Sequence, residues 1–317
     1  MPNRTNRMIN KITLFYKYVN LTDPHAVMMW QRALCEKLAL TGRILIGTEG
    51  INGTVGGDQR NIRCYIREMK QYAPFKNIDF KFSNCQNQPF EHLTVKVKKE
   101  IVVLGIDPNQ ITAEQGGKHL SPKQVHELLT NKPDDLVILD TRNTCEVAIG
   151  KFEGAINPNI EHFRDFPKYI DDNLEQFKDK QVLMYCTGGI RCERATAVLN
   201  TKNVAKTVYQ IKGGIHRYAE NYPNGFFKGK NYVFDNRISM KVTDDILGSC
   251  LTCSQPYDEY TNCLNALCNL HYINCPDCLT KLSNTCSPKC QELVKNKQTI
   301  IRPARPGNLA NNSQANK

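Results

Sequence analysis

Gln181-Val182-Leu183-Met184-Tyr185 runs directly into Cys186-Thr187-Gly188-Gly189-Ile190-Arg191-Cys192, and then into Glu193-Arg194-Ala195-Thr196-Ala197-Val198-Leu199. The first stretch is a short apolar run that reads as a buried strand, and the last is a good helix former. A cysteine therefore stands where a strand ends and a helix begins, on a loop with two glycines. Such a loop can turn its backbone N–H groups toward one point, and the helix N-terminus adds a positive field there. The glycines supply the positive φ that such a curl requires. That environment stabilises a thiolate, so Cys186 is expected to have a lowered pKa and to be the nucleophile. Arg191 and the N–H groups of Thr187, Gly188, Gly189 and Ile190 would hold the charged sulfur. Cys192 reads as a first-turn helix residue or, alternatively, as a resolving thiol for Cys186. The bland reading, a buried strand-end cysteine beside a structural turn, loses ground to the Gly-Gly pair, the arginine and the strand–helix context.

Spacing narrows the chemistry. Cys186 to Arg191 is C-x4-R, one residue shorter than the C-x5-R loop of cysteine phosphatases, and it encloses a smaller anion hole suited to a single bound sulfur. The loop resembles the active-site loop of rhodanese-like domains. Upstream, Val137-Ile138-Leu139-Asp140-Thr141-Arg142, then Glu146, Gly150 and Gly154-Ala155-Ile156-Asn157-Pro158, are similar to the rhodanese D-x-R…E…G-H-x-x-G-A signature. Phe152 stands where a histidine is usual. Arg142 and Glu146 read as a structural ion pair, with a catalytic role as the alternative. Val208-Tyr209-Gln210-Ile211-Lys212-Gly213-Gly214-Ile215 resembles the final rhodanese strand and its Gly-Gly turn. A rhodanese domain is expected at 119–226, with helices on both faces of a parallel sheet.

The chain has 317 residues and 14 cysteines, room for two domains and a small appendage. No apolar stretch reaches the ~18–20 residues needed to cross a membrane, and Met1-Pro2-Asn3-Arg4-Thr5-Asn6-Arg7 leads into an alternating strand pattern with no signal-peptide core. Cysteines in such a chain argue for reduced thiols and metal ligands over a disulfide framework. The expectation is a cytoplasmic enzyme with no membrane partner.

The net charge of +11 is unevenly placed: residues 1–106 carry 16 Lys+Arg against 8 Asp+Glu, residues 107–240 carry 18 against 17, and residues 241–317 carry 8 against 6. A polyanionic partner bound by the N-terminal third would account for the excess; a merely soluble basic domain is the alternative. That third reads βαββαβ. Strands fall at Ile12–Val19, Arg43–Gly47, Ile51–Val55, near Asp79–Phe82 and over Leu93–Leu104, and helices at Pro24–Leu40, with Asp23 as N-cap, and Asp58–Gln71. This predicts a ferredoxin-like, acylphosphatase-like sandwich over 1–106, with a linker over 107–118. On the second helix Arg60, Arg63, Arg67 and Lys70 share one face, which reads either as a solvated face or as a phosphate contact.

Residues 227–290 form an extension with a third signal. Cys250-x2-Cys253, Cys263-x4-Cys268, Cys275-x2-Cys278 and Cys286-x3-Cys290 are four pairs, with His271 among them. Such pairs chelate tetrahedral ions, and eight cysteines suit two structural zincs. An iron–sulfur site and redox-active thiols are the other readings, and sequence leaves open whether the pairs bind in order or cross-braced. From 291 to 317 the chain is polar and expected to be disordered.

These three parts in this order resemble the bacterial rhodanese-containing tRNA uridine hydroxylases, the TrhO/YceA family. The resemblance is carried by Gly42-Arg43-Ile44-Leu45-Ile46-Gly47-Thr48-Glu49-Gly50-Ile51-Asn52-Gly53-Thr54-Val55, by Asp140-Thr141-Arg142-Asn143, by Cys186 to Glu193, and by Phe234-Asp235-Asn236-Arg237-Ile238-Ser239 with the Cys-rich tail. It implies oxygen-dependent 5-hydroxylation of the wobble uridine in the tRNA anticodon loop. Dioxygen would be the co-substrate, no organic cofactor is evident, and Cys186 would be the essential cysteine. Two other readings stand beside it. One is a sulfurtransferase carrying sulfur from a donor as a Cys186 persulfide; the other is a non-catalytic RNA-binding protein, against which the intact Cys186 and Arg191 count.

Overall fold

The computed structural model describes residues 10–85 and 90–302. They form two compact units: one runs to Thr144 and resumes over Gly154–Phe226, and the other combines Cys145–Glu153 with the chain from Phe227 onward. The expected rhodanese span of 119–226 differs from this in the stretch 145–153.

The first unit opens with β1 (Asn10–Tyr18), α1 (Pro24–Lys37), β2 (Thr41–Gly47), β3 (Gly50–Asp58), α2 (Gln59–Gln71), β4 (Asp79–Cys85) and β5 (Leu93–Val97). Their sheet has the order β4-β1-β3-β2-β5. The first four pair antiparallel, as the βαββαβ reading requires, and β5 adds to β2 in parallel. Asp23 opens α1 by accepting from the N–H groups of His25 and Ala26 at 3.0 Å, a cap contributing about 1 kcal/mol. Asp58 does the same for α2 through Arg60 N–H at 2.8 Å. Both helices bury one stripe, Val27, Gln31 and Cys35 on α1 and Ile62, Tyr65 and Met69 on α2. Phe15 of β1 meets Tyr65 and Phe80, ring centroids 5.7 and 5.3 Å apart, so this face of the sheet lies under the helices. Strand alternation sends Leu14 and Tyr16 to the opposite face.

The strand expected over Leu93–Leu104 stops at Val97. Beyond it the backbone is satisfied by carboxylates instead of a ladder: Ile101 N–H donates to Glu49 at 2.7 Å and Leu104 N–H to Glu100 at 2.9 Å. Nor is the expected linker loose. A Cβ on Gly116 would lie 2.8 Å from the Glu193 carbonyl and one on Gly117 2.7 Å from the Val208 carbonyl, so the segment is docked before β6 (Lys118–Leu120) begins.

There follow α3 (Pro122–Asn131), β7 (Leu136–Asp140), α5 (Phe166–Asp172), β9 (Gln181–Tyr185), α6 (Ile190–Lys202), β10 (Thr207–Ile211) and α7 (Gly214–Asn221). The short α4 (Thr144–Val147) spans the chain's first passage between the units. The sheet is parallel with the order β6-β10-β9-β7. Helices α5 and α6 pack together, as do α3 and α7, which gives the expected doubly covered α/β layer.

In the second unit β8 (Gly150–Phe152) pairs antiparallel with β11 (Phe227–Tyr232), which also pairs with β12 (Ser239–Lys241). Phe152, at the position usually held by histidine, is fully buried edge-on to Phe227, centroids 5.5 Å apart. Its aromatic packing accounts for the departure from the signature. The hairpin of β13 (Tyr260–Asn262) and β14 (His271–Ile273) and helices α8 (Pro276–Lys281) and α9 (Pro288–Lys295), with the segments that lead into them, carry the cysteines from Cys250 to Cys290. Disorder from 291 onward is therefore corrected in its first part. Helix α9 continues past Cys290, Ile301 bridges to Asn265, and Arg302 Nε donates to the Cys263 carbonyl at 3.2 Å. Residues 303–317, the rest of that expectation, lie outside the described residues. Among the described residues no helix is long and apolar enough to cross a membrane.

Candidate active site and metal centres

Strand β9 delivers Cys186 at its C-terminal end. Gly189, at φ +102°, turns the chain into α6 as its N-cap, and its N–H donates to the Cys186 sulfur at 3.1 Å. The turn after β10 backs the loop. Gly213 and Gly214 have φ +78° and +65°, and a Cβ on Gly214 would lie 2.5 Å from the Cys186 carbonyl oxygen. Ile215 and His216 N–H groups donate to the Cys186 and Thr187 carbonyls at 3.0 and 3.1 Å. The sulfur sits in a preformed donor ring.

Burial alone would push the Cys186 thiol up. Against it act the Cys192 thiol as hydrogen-bond donor, the Arg191 guanidinium and the backbone N–H groups of Cys192 and Arg191, which hold its pKa down at about 6. Cys192, in the first turn of α6, also lies 3.6 Å from Thr141 Oγ1. Its own thiol is pushed up, by burial and by Cys186. The loop thus contains one thiolate and one proton donor. The Arg142 guanidinium forms a fully buried bidentate pair with Asp140, 2.7 and 2.9 Å, and faces the Tyr185 ring. That fixes the ends of β7 and β9. Glu146 is buried in the other unit.

Sequence reasoning did not find what covers the loop. Cys186 has no exposed surface, because β1 lies across it: a Cβ on Gly188 would meet Leu14 at 2.8 Å and one on Gly189 the Tyr16 hydroxyl at 2.7 Å. Nor did it find the roles of Glu193 and Arg194. Glu193 Oε1 accepts from Tyr16 at 2.9 Å and meets His119 Nε2 at 3.0 Å, while Oε2 accepts from Gln210 at 3.2 Å. Arg194, fully buried, donates to Glu100 at 2.6 Å and to the carbonyls of Ile106 and Ile111 at 2.6 and 2.9 Å. Removing it would strand a shielded carboxylate, a loss of about 3–5 kcal/mol. The available signal was charge on a helix whose positions 191–199 are otherwise apolar or small.

Arg60, Arg63, Arg67 and Lys70 are all exposed on one face of α2. Arg60 lies 3.8 Å from Asp58 and Arg67 3.2 Å from Glu68. Helix α2 covers the sheet face opposite the one that meets the Cys186 loop, so the stripe and the loop are not brought together.

The eight cysteines from Cys250 to Cys290 resolve into two groups, Cys250, Cys253, Cys275 and Cys278, and Cys263, Cys268, Cys286 and Cys290, with the sulfurs of each group within 4.8 Å of one another. The pairing is cross-braced: first pair with third, second with fourth. Recorded sulfur separations are 3.7 Å for Cys253–Cys275, 3.6 Å for Cys268–Cys286 and 3.8 Å for Cys286–Cys290. A tetrahedron with metal–sulfur bonds of about 2.3 Å has edges of about 3.8 Å, so both groups fit a four-coordinate ion such as zinc. His271 is occupied elsewhere, stacked on Tyr260 at 4.4 Å and hydrogen-bonded to Asn262 at 3.0 Å.

Comparison with known proteins adds three matches in chain order. A family profile described as UPF0176 acylphosphatase-like domain covers residues 10–101, the rhodanese-like domain covers 121–221, and the rhodanase C-terminal region covers 228–291. The chain is 43% identical over 280 residues to the tRNA uridine(34) hydroxylase of Corynebacterium efficiens, covering 85% of this chain and 89% of that one. It is 41% identical over 283 residues to the enzyme of that name from Arthrobacter sp., covering 85% and 94%. Among solved structures, a rhodanese-like domain from Anabaena sp. aligns at 17% identity and a TM-score of 0.30, over 35% of this chain and 78% of that one.

Proposed function

The chain belongs to the tRNA uridine(34) hydroxylase family, and on that premise we propose that it hydroxylates the wobble uridine of tRNA at C5, with dioxygen as co-substrate and Cys186 as the reacting sulfur. The observation that carries this reading is identity of 39–43% running through all three parts of the chain in order. A fold-level likeness in the rhodanese part alone would not support it. Residues 10–101 serve as the tRNA-holding part, and the exposed cations of α2 add phosphate contact at a distance from the chemistry. Zinc in the two four-cysteine groups holds the second unit together and takes no part in the reaction. The enzyme acts in the cytoplasm on the unstacked bases of the anticodon loop, which are open to recognition in a way paired bases are not.

The residues of the loop divide the work. Cys186 supplies a thiolate at neutral pH, because its pKa is held at about 6. Arg191 and the N–H groups at the start of α6 stabilise negative charge on that sulfur, whether as thiolate or as persulfide. Cys192 holds a proton beside it. The β1 strand keeps the sulfur from solvent, which strengthens every one of these interactions.

The same loop supports a second reading, a sulfurtransferase that moves sulfur from a donor through a Cys186 persulfide. Nucleoside analysis of tRNA from a strain lacking this protein separates the two. Loss of 5-hydroxyuridine and its derivatives is expected. Loss of a thiolated nucleoside with 5-hydroxyuridine intact would favour sulfur transfer, and unchanged nucleosides would leave only RNA binding.

A further inference from the structure

Beside the Cys186 loop lies a cleft of about 370 Å³, lined by Tyr16 and Tyr18 of β1 together with Lys81, His119, Glu193 and Lys212. Its volume is at the low end of the roughly 300–1,000 Å³ typical of small-ligand sites. Glu193 stands on the first turn of α6, directly after the loop. The Tyr16 hydroxyl and the Gly213 backbone both border Gly189, so the cleft floor adjoins the sulfur's own donor ring.

We propose that this cleft receives the uracil base of the substrate, and that Tyr16 and His119, both anchored on the Glu193 carboxylate, read its Watson–Crick edge. The inference rests on the proposed function and names the recognition site within it.

The argument is one of donors and acceptors. Burial, followed by the neighbouring Glu193 charge, pushes the Tyr16 phenol well above its ordinary pKa, so the hydroxyl keeps its proton and gives it to Glu193. What the Tyr16 oxygen has left to offer is an acceptor lone pair. His119 meets the same carboxylate through Nε2. That hydrogen bond raises its pKa, against burial and the Lys212 charge. When the ring carries both protons, the state that the Glu193 carboxylate favours, its Nδ1–H is available to the base, since Nδ1 makes no hydrogen bond among the described residues. An acceptor and a donor side by side match the N3–H and an adjacent carbonyl of uracil. Cytosine presents the reverse, an N3 acceptor beside an amino donor, and would leave both protein groups opposed by like groups. A site built on hydrogen bonds rejects the mismatched analogue far more strongly than a site built on shape. The ring of Tyr18 offers a stacking surface of the kind that captures unstacked bases. Lys81, fully buried and paired with Asp79 at 3.0 Å, sits 5.0 Å from the Tyr16 ring and fixes its face. Exposed Lys212 is on the rim, where the backbone phosphates of the entering nucleotide would pass.

The test uses the full chain and two anticodon stem-loop RNAs that differ only in carrying uridine or cytidine at position 34. The expected result is that the wild type prefers the uridine RNA, that Tyr16→Phe and His119→Leu each lose about tenfold of that preference, and that neither variant binds the cytidine RNA more weakly than the wild type, since each removes a group that cytosine opposes. Full retention of the uridine preference in both variants would overturn the inference while leaving the hydroxylase reading intact. Equal weakening toward both RNAs would also overturn it, because the residues would then be supports for the fold. A wild type without any preference, together with unchanged tRNA nucleosides in the deletion strain, would sink the hydroxylase reading itself.

Discussion

Cys186 and the eight cysteines from Cys250 to Cys290 are the same residue put to opposite uses, and their surroundings account for the difference. Around Cys186 the donors are N–H groups, one guanidinium and one thiol, so a single negative sulfur is stabilised and left reactive. In the two groups of the second unit each sulfur has three other sulfurs within 4.8 Å. Four thiolates that close repel one another unless a cation sits among them. One arrangement accumulates donors around one sulfur and the other accumulates sulfurs around one point. Reactivity and structure thus follow from the neighbours a cysteine keeps, more than from its own exposure: Cys186 and Cys263 are equally buried at 0%.

The sharpest way to break that contrast is to remove the lone sulfur. Cys186→Ser should lower the hydroxylation rate by at least about a thousandfold while leaving tRNA affinity unchanged, read from product formation and a binding isotherm on the same preparation. Retained turnover would make Cys186 a structural residue like the others.

Elemental analysis addresses the opposite side. The intact protein should hold about two zinc ions. Replacing Cys250, Cys253, Cys275 and Cys278 by Ser should leave one, since the cross-braced partner group survives. Replacing Cys250, Cys253, Cys263 and Cys268 instead should abolish both sites. The reverse outcome would mean that the pairs bind in sequence, and a brown preparation with visible absorbance would point to iron and sulfide.

A smaller effect separates the two cysteines of the loop. The thiolate absorbance that disappears in Cys186→Ser should titrate with a midpoint near 6 in the wild type, rising with pH because deprotonation creates the absorbing form. Cys192→Ala removes a donor that favours the charged form, so the midpoint should rise, by about one unit. Cys192→Ser keeps a donor and should restore most of it. A midpoint indifferent to both substitutions would assign the shift to Arg191 and the backbone alone.

Much of this was legible because the information was local. A strand, two glycines and a helix within nineteen residues determine where Cys186 stands, and the same holds for Asp23 and Asp58 at the starts of α1 and α2. The parallel rhodanese layer and the βαββαβ sandwich follow from such pieces. What stayed hidden lies between residues far apart in sequence. Tyr16 and Glu193 are 177 positions apart, and nothing in the alternation of β1 says what its second face will meet. Cross-bracing was equally invisible, since C-x2-C spacing is satisfied by either pairing. The strand forecast to reach Leu104 failed because buried Ile101 and Leu104 keep an apolar pattern while Glu49 and Glu100 take over the backbone bonds.

The smallest expected effect concerns the cations of α2. Reversing Arg60, Arg63 and Arg67 to Glu should weaken tRNA binding and flatten its salt dependence, each lost phosphate contact removing roughly 0.7–0.9 from the log–log slope. The rate of the bound complex should not change, because the stripe is on the sheet face turned away from Cys186. An unchanged slope would make those arginines an ordinary solvated surface.

Gly188 and Gly189 owe their missing side chains to Leu14 and Tyr16, residues from a different fold at the other end of the same unit. The two modules are therefore not interchangeable parts. A chimera that grafts this rhodanese domain beneath a foreign N-terminal module would leave the sulfur open to solvent. The converse graft, this N-terminal module over a rhodanese loop with larger residues at those two positions, would not close. Inheritance has to pass the pair on together, and a search for this activity among rearranged genes should look for the two halves travelling as one.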